Sequence, residues 1–147
     1  MVGDLSIAYS MPSTPMLISR LPVRFGLVLG FVPLPVHFFL SLEHSHQLAA
    51  LTVVLISGVY IGYAFKDGRP RVIATELLAA LGFAGAAWLG LNGFPVLIIA
   101  ALALHGIWDL LHHNLMKADL PRWYIPFCAA IDWGLAACLL AIWSFGF

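Results

Sequence analysis

Residues 47–65 read QLAALTVVLISGVYIGYAF and carry no Asp, Glu, Lys or Arg. As a helix at about 1.5 Å per residue the stretch is about 28 Å long, close to the roughly 30 Å hydrocarbon thickness of a bilayer. The run Lys66-Asp67-Gly68-Arg69-Pro70-Arg71 ends it at once. Beyond that turn the pattern repeats. Val72–Leu91 is apolar and stops at Asn92-Gly93-Phe94-Pro95, a strong turn signal. Val96–His113 follows, then the polar link Asn114–Arg122 and a last apolar stretch, Trp123–Phe147. Upstream, Phe25–Leu42 is apolar but holds Pro33 and Pro35, which break or kink a helix. The expected fold is an all-α, polytopic membrane helix bundle of five transmembrane helices, with four plus a kinked or re-entrant first segment as the alternative. Residues 1–19, with Pro12 and Pro15, read as a flexible N-terminal tail, and 20–147 as a single transmembrane domain.

Composition agrees with this reading. Of 147 residues, 62% are hydrophobic and 10% charged, and mean hydropathy is +0.97. Ordinary soluble domains are about 45–50% apolar and about 25% charged, so too little polar surface exists to coat a water-soluble particle. The formal net charge is zero, which leaves no basic field to track phosphates and excludes nucleic acid as a partner. Cys128 and Cys138 lie one above the other by about 15 Å on a helix, too far for a disulfide. They read as small buried hydrophobes.

The seven bases are distributed one-sidedly. Arg20 and Arg24 flank the first stretch, Lys66, Arg69 and Arg71 fill the second loop, and Lys117 and Arg122 the fourth. With five spans all lie on one side, so the positive-inside bias puts the N-terminus in the cytoplasm and the C-terminus opposite. Gly26/Gly30, Gly58/Gly62 and Gly82/Ala86/Gly90 are small residues four apart that let helix backbones approach within the bundle. Trp88, Trp123, Trp143, Tyr60 and Tyr63 suit interfacial anchoring.

Ionisable groups inside a span are costly and mark candidate functional sites. His105, Asp109 and His112 stand at i, i+4 and i+7. At about 100° per residue they fall within roughly 60° of one another as one polar stripe, while His113 points away to the interface. Glu76 lies one turn into the third span, and Asp132 lies mid-span in the fifth. A second knot, Glu43-His44-Ser45-His46, sits upstream with His37 nearby. Glu43-x-x-His46 and Asp109-x-x-His112 with two further acids match the inventory of a di-metal carboxylate bundle. Depth separates them: His46 is about 28 Å above Phe65, whereas Glu76 is about 7 Å beyond Arg71, so these residues form two clusters.

In the inner cluster His105 and Asp132 share one depth, and Glu76 and Asp109 another. Imidazole and carboxylate suit zinc, iron or manganese, and a tripod on one helix leaves open coordination positions. The assignment is His105, Asp109 and His112 as metal ligands, Glu76 as a further ligand or general base, and Asp132 as the carboxylate that orients His105. The expected function is a metal-dependent enzyme in the membrane acting on a lipophilic small molecule. Two alternatives are an accessory or structural subunit associated with other membrane subunits, and a proton or metal-ion carrier. In structural terms Asp132–His105 is a register-fixing pair, and Glu43, His44 and His46 are a wet outer loop and an acidic first turn.

The run Leu-Glu-His-Ser-His-Gln (42–47), Glu76, His-Gly-Ile-Trp-Asp-Leu-Leu-His-His (105–113) and Arg-Trp-Tyr-Ile-Pro-Phe-Cys-Ala-Ala-Ile-Asp (122–132) resembles a domain-of-unknown-function family of small integral membrane proteins from bacteria and fungi. The resemblance covers roughly residues 37–140, and implies a multi-span fold and no particular activity. His-Gly-x-x-Asp is also loosely similar to the iron-binding stretch of membrane-bound carotene-cleaving oxygenases, which are much longer and carry further histidines.

Overall fold

Pro33 and Pro35 decide the shape of the first apolar stretch. In the computed structural model, which describes residues 20–116, 120–121 and 123–145 with the side chains of His113 and Asn114 excepted, this stretch is two helices: α1 (Arg20–Phe31) and α2 (Leu34–Phe39). Each proline removes an N–H from the helical ladder and crowds the preceding turn, so the chain bends at Val32 and Pro33. The tail expected over residues 1–19 and the outward turn expected of the His113 side chain lie outside the described residues.

Ser41 starts α3 (Leu42–Asp67) earlier than hydropathy suggests. Its hydroxyl accepts the backbone N–H of His44 at 3.3 Å, as an N-cap does. Glu43, His44 and His46 therefore all stand on the first turns of a helix: the acidic first turn expected is present, and the outer loop expected beside it is helical. The helix ends at Gly68, whose φ of +77° lets its N–H reach the Ala64 carbonyl at 3.0 Å. Pro70 then opens α4 (Pro70–Leu91) from a position where its missing N–H costs nothing. α5 (Val96–Met116) and α6 (Tyr124–Phe145) complete the described helices. The Arg69 guanidinium grips both Asp67 carboxylate oxygens at 2.6 and 2.7 Å and donates to the Met116 carbonyl at 2.6 Å, tying the α3–α4 turn to the end of α5.

The segment Arg20–Phe39 and helices α3, α4 and α6 are each long and apolar enough to cross a membrane, and Val96–His112 is the apolar part of α5. The chain is an all-α membrane bundle. Its outward face carries Leu55, Leu78, Leu81 and Leu104, as a surface solvated by lipid tails must. α6 packs on α1, α2 and α5, while α3 packs on α4 and α5.

Small residues set one of these contacts. A Cβ on Gly26 would collide with the Phe127 carbonyl, and one on Gly30 would come within 2.9 Å of the Ile131 carbonyl. The α1 backbone thus lies directly on α6, the close approach expected of small-xxx-small pairs. Gly90 makes room for the side chain of Ile98, but a Cβ on Gly58, Gly62 or Gly82 would meet nothing within 4 Å. Those three do not serve the packing expected of them. Tyr60 also departs from expectation: it is 2% exposed and turned inward, whereas Trp88 and Trp123 remain at the surface. Trp143 is drawn inward too, donating to Ser45 Oγ at 2.9 Å. An apolar layer fills the middle of the bundle, built from Ala49, Ala50 and Val53 of α3, Ile98 and Leu102 of α5, and Leu135 and Leu139 of α6.

Candidate intramembrane metal centre

The 3.6-residue period of α5 carries His105, Asp109 and His112 down one face, and all three are buried. Helices α3, α4 and α6 each bring one polar residue to that face: Tyr60, Glu76 and Asp132, also buried. His105 Nδ1 lies 2.7 Å from Asp132 Oδ2 and 3.7 Å from Asp109 Oδ1. The Tyr60 hydroxyl donates to Asp109 Oδ1 at 2.7 Å. His105, Asp109 and Asp132 each offer a ligand atom within 4.8 Å of the other two. One nitrogen and two carboxylate oxygens at that spacing form a donor set suited to zinc, iron or manganese.

Buried polar atoms ordinarily have partners, and those that do not call for a ligand, ion or water. Here His105 Nε2, Asp109 Oδ2 and His112 Nδ1 have no hydrogen-bond partner within the described chain. The group could therefore hold a cation, with His105 Nε2 and Asp109 Oδ2 as its unpartnered atoms. Asp132 also holds the His105 ring by its Nδ1, as a carboxylate does beside a histidine ligand. It stands both beside His105 and within the three-residue group.

Glu76 and His112 form an adjoining pair. His112 Nε2 is 2.9 Å from Glu76 Oε1, close but without an aligned ring N–H, and Trp108 Nε1 donates to Glu76 Oε2 at 3.4 Å. Tyr60 joins the two groups. Its ring stacks on His112 at 4.2 Å and 22°, and its centroid is 6.1 Å from that of His105. Phe83 closes the other side of His105 edge-on at 5.0 Å. The inner residues assigned from sequence, His105, Asp109, His112, Glu76 and Asp132, thus lie in one region of the bundle.

A cavity of about 220 Å³ opens onto the centre, lined by Tyr60, His105, Asp109 and Asp132 and walled by Ile56, Val59, Phe127 and Ile131 among others. Cys128 is on the same wall; it and Cys138 are free thiols, half-buried.

The outer knot is organised differently. Glu43 and His44 are exposed and His46 is half-buried. His44 Nδ1 lies 2.7 Å from the capping Ser41 hydroxyl, Gln47 donates to Glu43 at 3.4 Å, and His46 packs edge-on against Trp143 at 4.4 Å. His37 is buried with Nδ1 2.8 Å from Ser45 Oγ, which also accepts from Trp143. Gln47–Glu43 is an i,i+4 contact within α3, and the other contacts cap that helix or join it to its neighbours.

Sequence reasoning missed Tyr60 and Ser45. Tyr60 lies about one turn above Tyr63 and nearly two above Lys66, where an anchor and an inward hydroxyl look alike. Its spacing from the inner acids gave one usable signal: it is about 10 Å above Asp67, the depth that Asp109 has above Met116. No family model, curated protein or solved structure matches this chain.

Proposed function

We propose that this protein is a membrane-embedded, metal-dependent enzyme acting on a lipophilic small molecule. The observation that carries the reading is the buried His105/Asp109/Asp132 group at the floor of a cavity with apolar walls. A divalent cation there would polarise an oxygen of the substrate or activate a water. Tyr60 would fix the Asp109 carboxylate, and Glu76 with His112 would hold or pass a proton beside it. Metal analysis of protein purified in mild detergent tests the reading. Stoichiometric zinc, iron or manganese is expected, lost in His105→Ala and Asp109→Ala with helicity retained; absence of all such metals overturns it.

The apolar layer between the two polar regions counts against a carrier. From His46 to Tyr60 is about 21 Å along α3; Ala49, Ala50 and Val53 line the inward face with Leu102 and Leu139 across from them, and the buried Ser57 turns its hydroxyl back to the Val54 carbonyl of its own helix. For orientation we propose the cytoplasm on the side of Lys66, Arg69 and Arg71, from the distribution of Lys and Arg in the loops. Reporter fusions in the second and third loops, giving opposite sidedness, check this.

A further inference from the structure

We infer that the centre is reached sideways from the bilayer, through a slot between α3 and α6, by a long-chain amphiphile with an uncharged oxygen-bearing head. This deepens the enzymatic reading above and rests on it for the chemistry, though not for the binding.

α3 and α6 are bridged at their two ends. Trp143 reaches Ser45 and His46 at one. At the other, the Tyr63 and Tyr124 rings meet at 6.0 Å within a cluster that includes Leu120, Ile125 and Trp108. Between these bridges, Ile56 and Val59 face Phe127 and Ile131 across the cavity. Val59 is 42% exposed and lies about 12 Å above Asp67, while Ile131 is about 10 Å above Tyr124. The mouth is therefore at hydrocarbon depth. The Tyr63 and Tyr124 rings flank it on one side, and the apolar layer flanks it on the other.

Size and charge define the occupant. About 220 Å³ is smaller than the roughly 300–1,000 Å³ of pockets that enclose a whole small ligand, so the slot takes one end of a molecule and leaves the rest in lipid. The floor presents Asp109 and Asp132 beside His105. Two carboxylates in a low-dielectric site repel an anionic head, and a divalent cation would only bring the group near neutrality. A hydroxyl or carbonyl satisfies Asp109 Oδ2 or His105 Nε2, or binds a metal, without adding charge.

The test uses full-length protein in lipid nanodiscs with a long-chain primary alcohol that carries a diazirine near its hydroxyl. After photolysis, saturable cross-links are expected on residues 56–60 and 124–132, competed by excess unlabelled alcohol and not by the alkyl phosphate of equal length. Val59→Trp, a plug at an exposed position, should lower the labelling about tenfold with metal content unchanged. Val59→Phe, run alongside as a smaller plug, should give an intermediate loss. No saturable labelling of those segments, or labelling indifferent to both plugs, overturns the slot. Equal competition by the alkyl phosphate overturns the uncharged head. Labelling of a metal-free protein would retire the metal reading and keep the slot; metal without labelling would do the reverse.

Discussion

The Tyr60 hydroxyl donates to Asp109 at 2.7 Å across 49 positions of sequence, joining α3 to α5 in the buried half of the bundle. Asp109 Oδ1 is thereby fixed, while Oδ2 remains free of any partner in the described chain. One oxygen is spent on position and the other is left for a ligand.

Tyr60→Phe removes that restraint and keeps the ring stacked on His112. The loss of one hydrogen bond to a buried carboxylate should cost about 1–3 kcal/mol, read as a lower unfolding temperature in detergent. Metal affinity should fall about 10–100-fold, the usual effect of losing a partner of a metal ligand. Titration of the apo-protein followed by calorimetry measures it.

His105 and Asp132 should be strongly coupled. Asp132→Asn and His105→Gln each leave a buried partner unmatched, at about 3–5 kcal/mol for a broken buried pair. The double variant should cost clearly less than the sum. A thermal-unfolding cycle on the four proteins decides it, and additivity would show that the 2.7 Å contact contributes nothing.

Gly26→Leu should detach α1 from α6, since the Phe127 carbonyl occupies the space a side chain needs. Overpacking of this kind costs about 1–3 kcal/mol or more when backbone cannot yield. Faster proteolysis near the α1–α2 bend checks this, with the contacts of α3, α4 and α5 retained.

His37→Ala and Ser45→Ala should each destabilise by about 1–2 kcal/mol through lost buried hydrogen bonds and leave metal content unchanged. The same pair of measurements separates the two polar regions: the outer one joins helices, and the inner one is the group proposed to hold a metal.

Much of the fold was legible because a bilayer permits few solutions. Length and apolarity located the spans, and the 3.6-residue period put His105, Asp109 and His112 on one face. What those signals could not supply was rotation. Nothing in residues 47–65 says which side of α3 faces α5, so Tyr60 read as an anchor, and Gly58 and Gly62 read as a contact that the fold does not use. The start of α3 was displaced for another reason. Hydropathy begins at Gln47, but the helix begins where Ser41 can cap it.

The apolar layer formed by Ala49, Val53, Leu102 and Leu139 has an electrical consequence. A membrane potential falls across the least polarisable part of its path, and each elementary charge moved through 100 mV exchanges about 2.3 kcal/mol with the field. Among the described residues of α3 the polar groups along that layer are Thr52 and Ser57, whose hydroxyls are turned back onto the Leu48 and Val54 carbonyls of their own helix, so the layer offers charge at Asp109 or Glu76 no ionisable group to pass to. On the proposed reading, a change of protonation or ligand at the centre would then proceed without drawing on the cell's ion gradients.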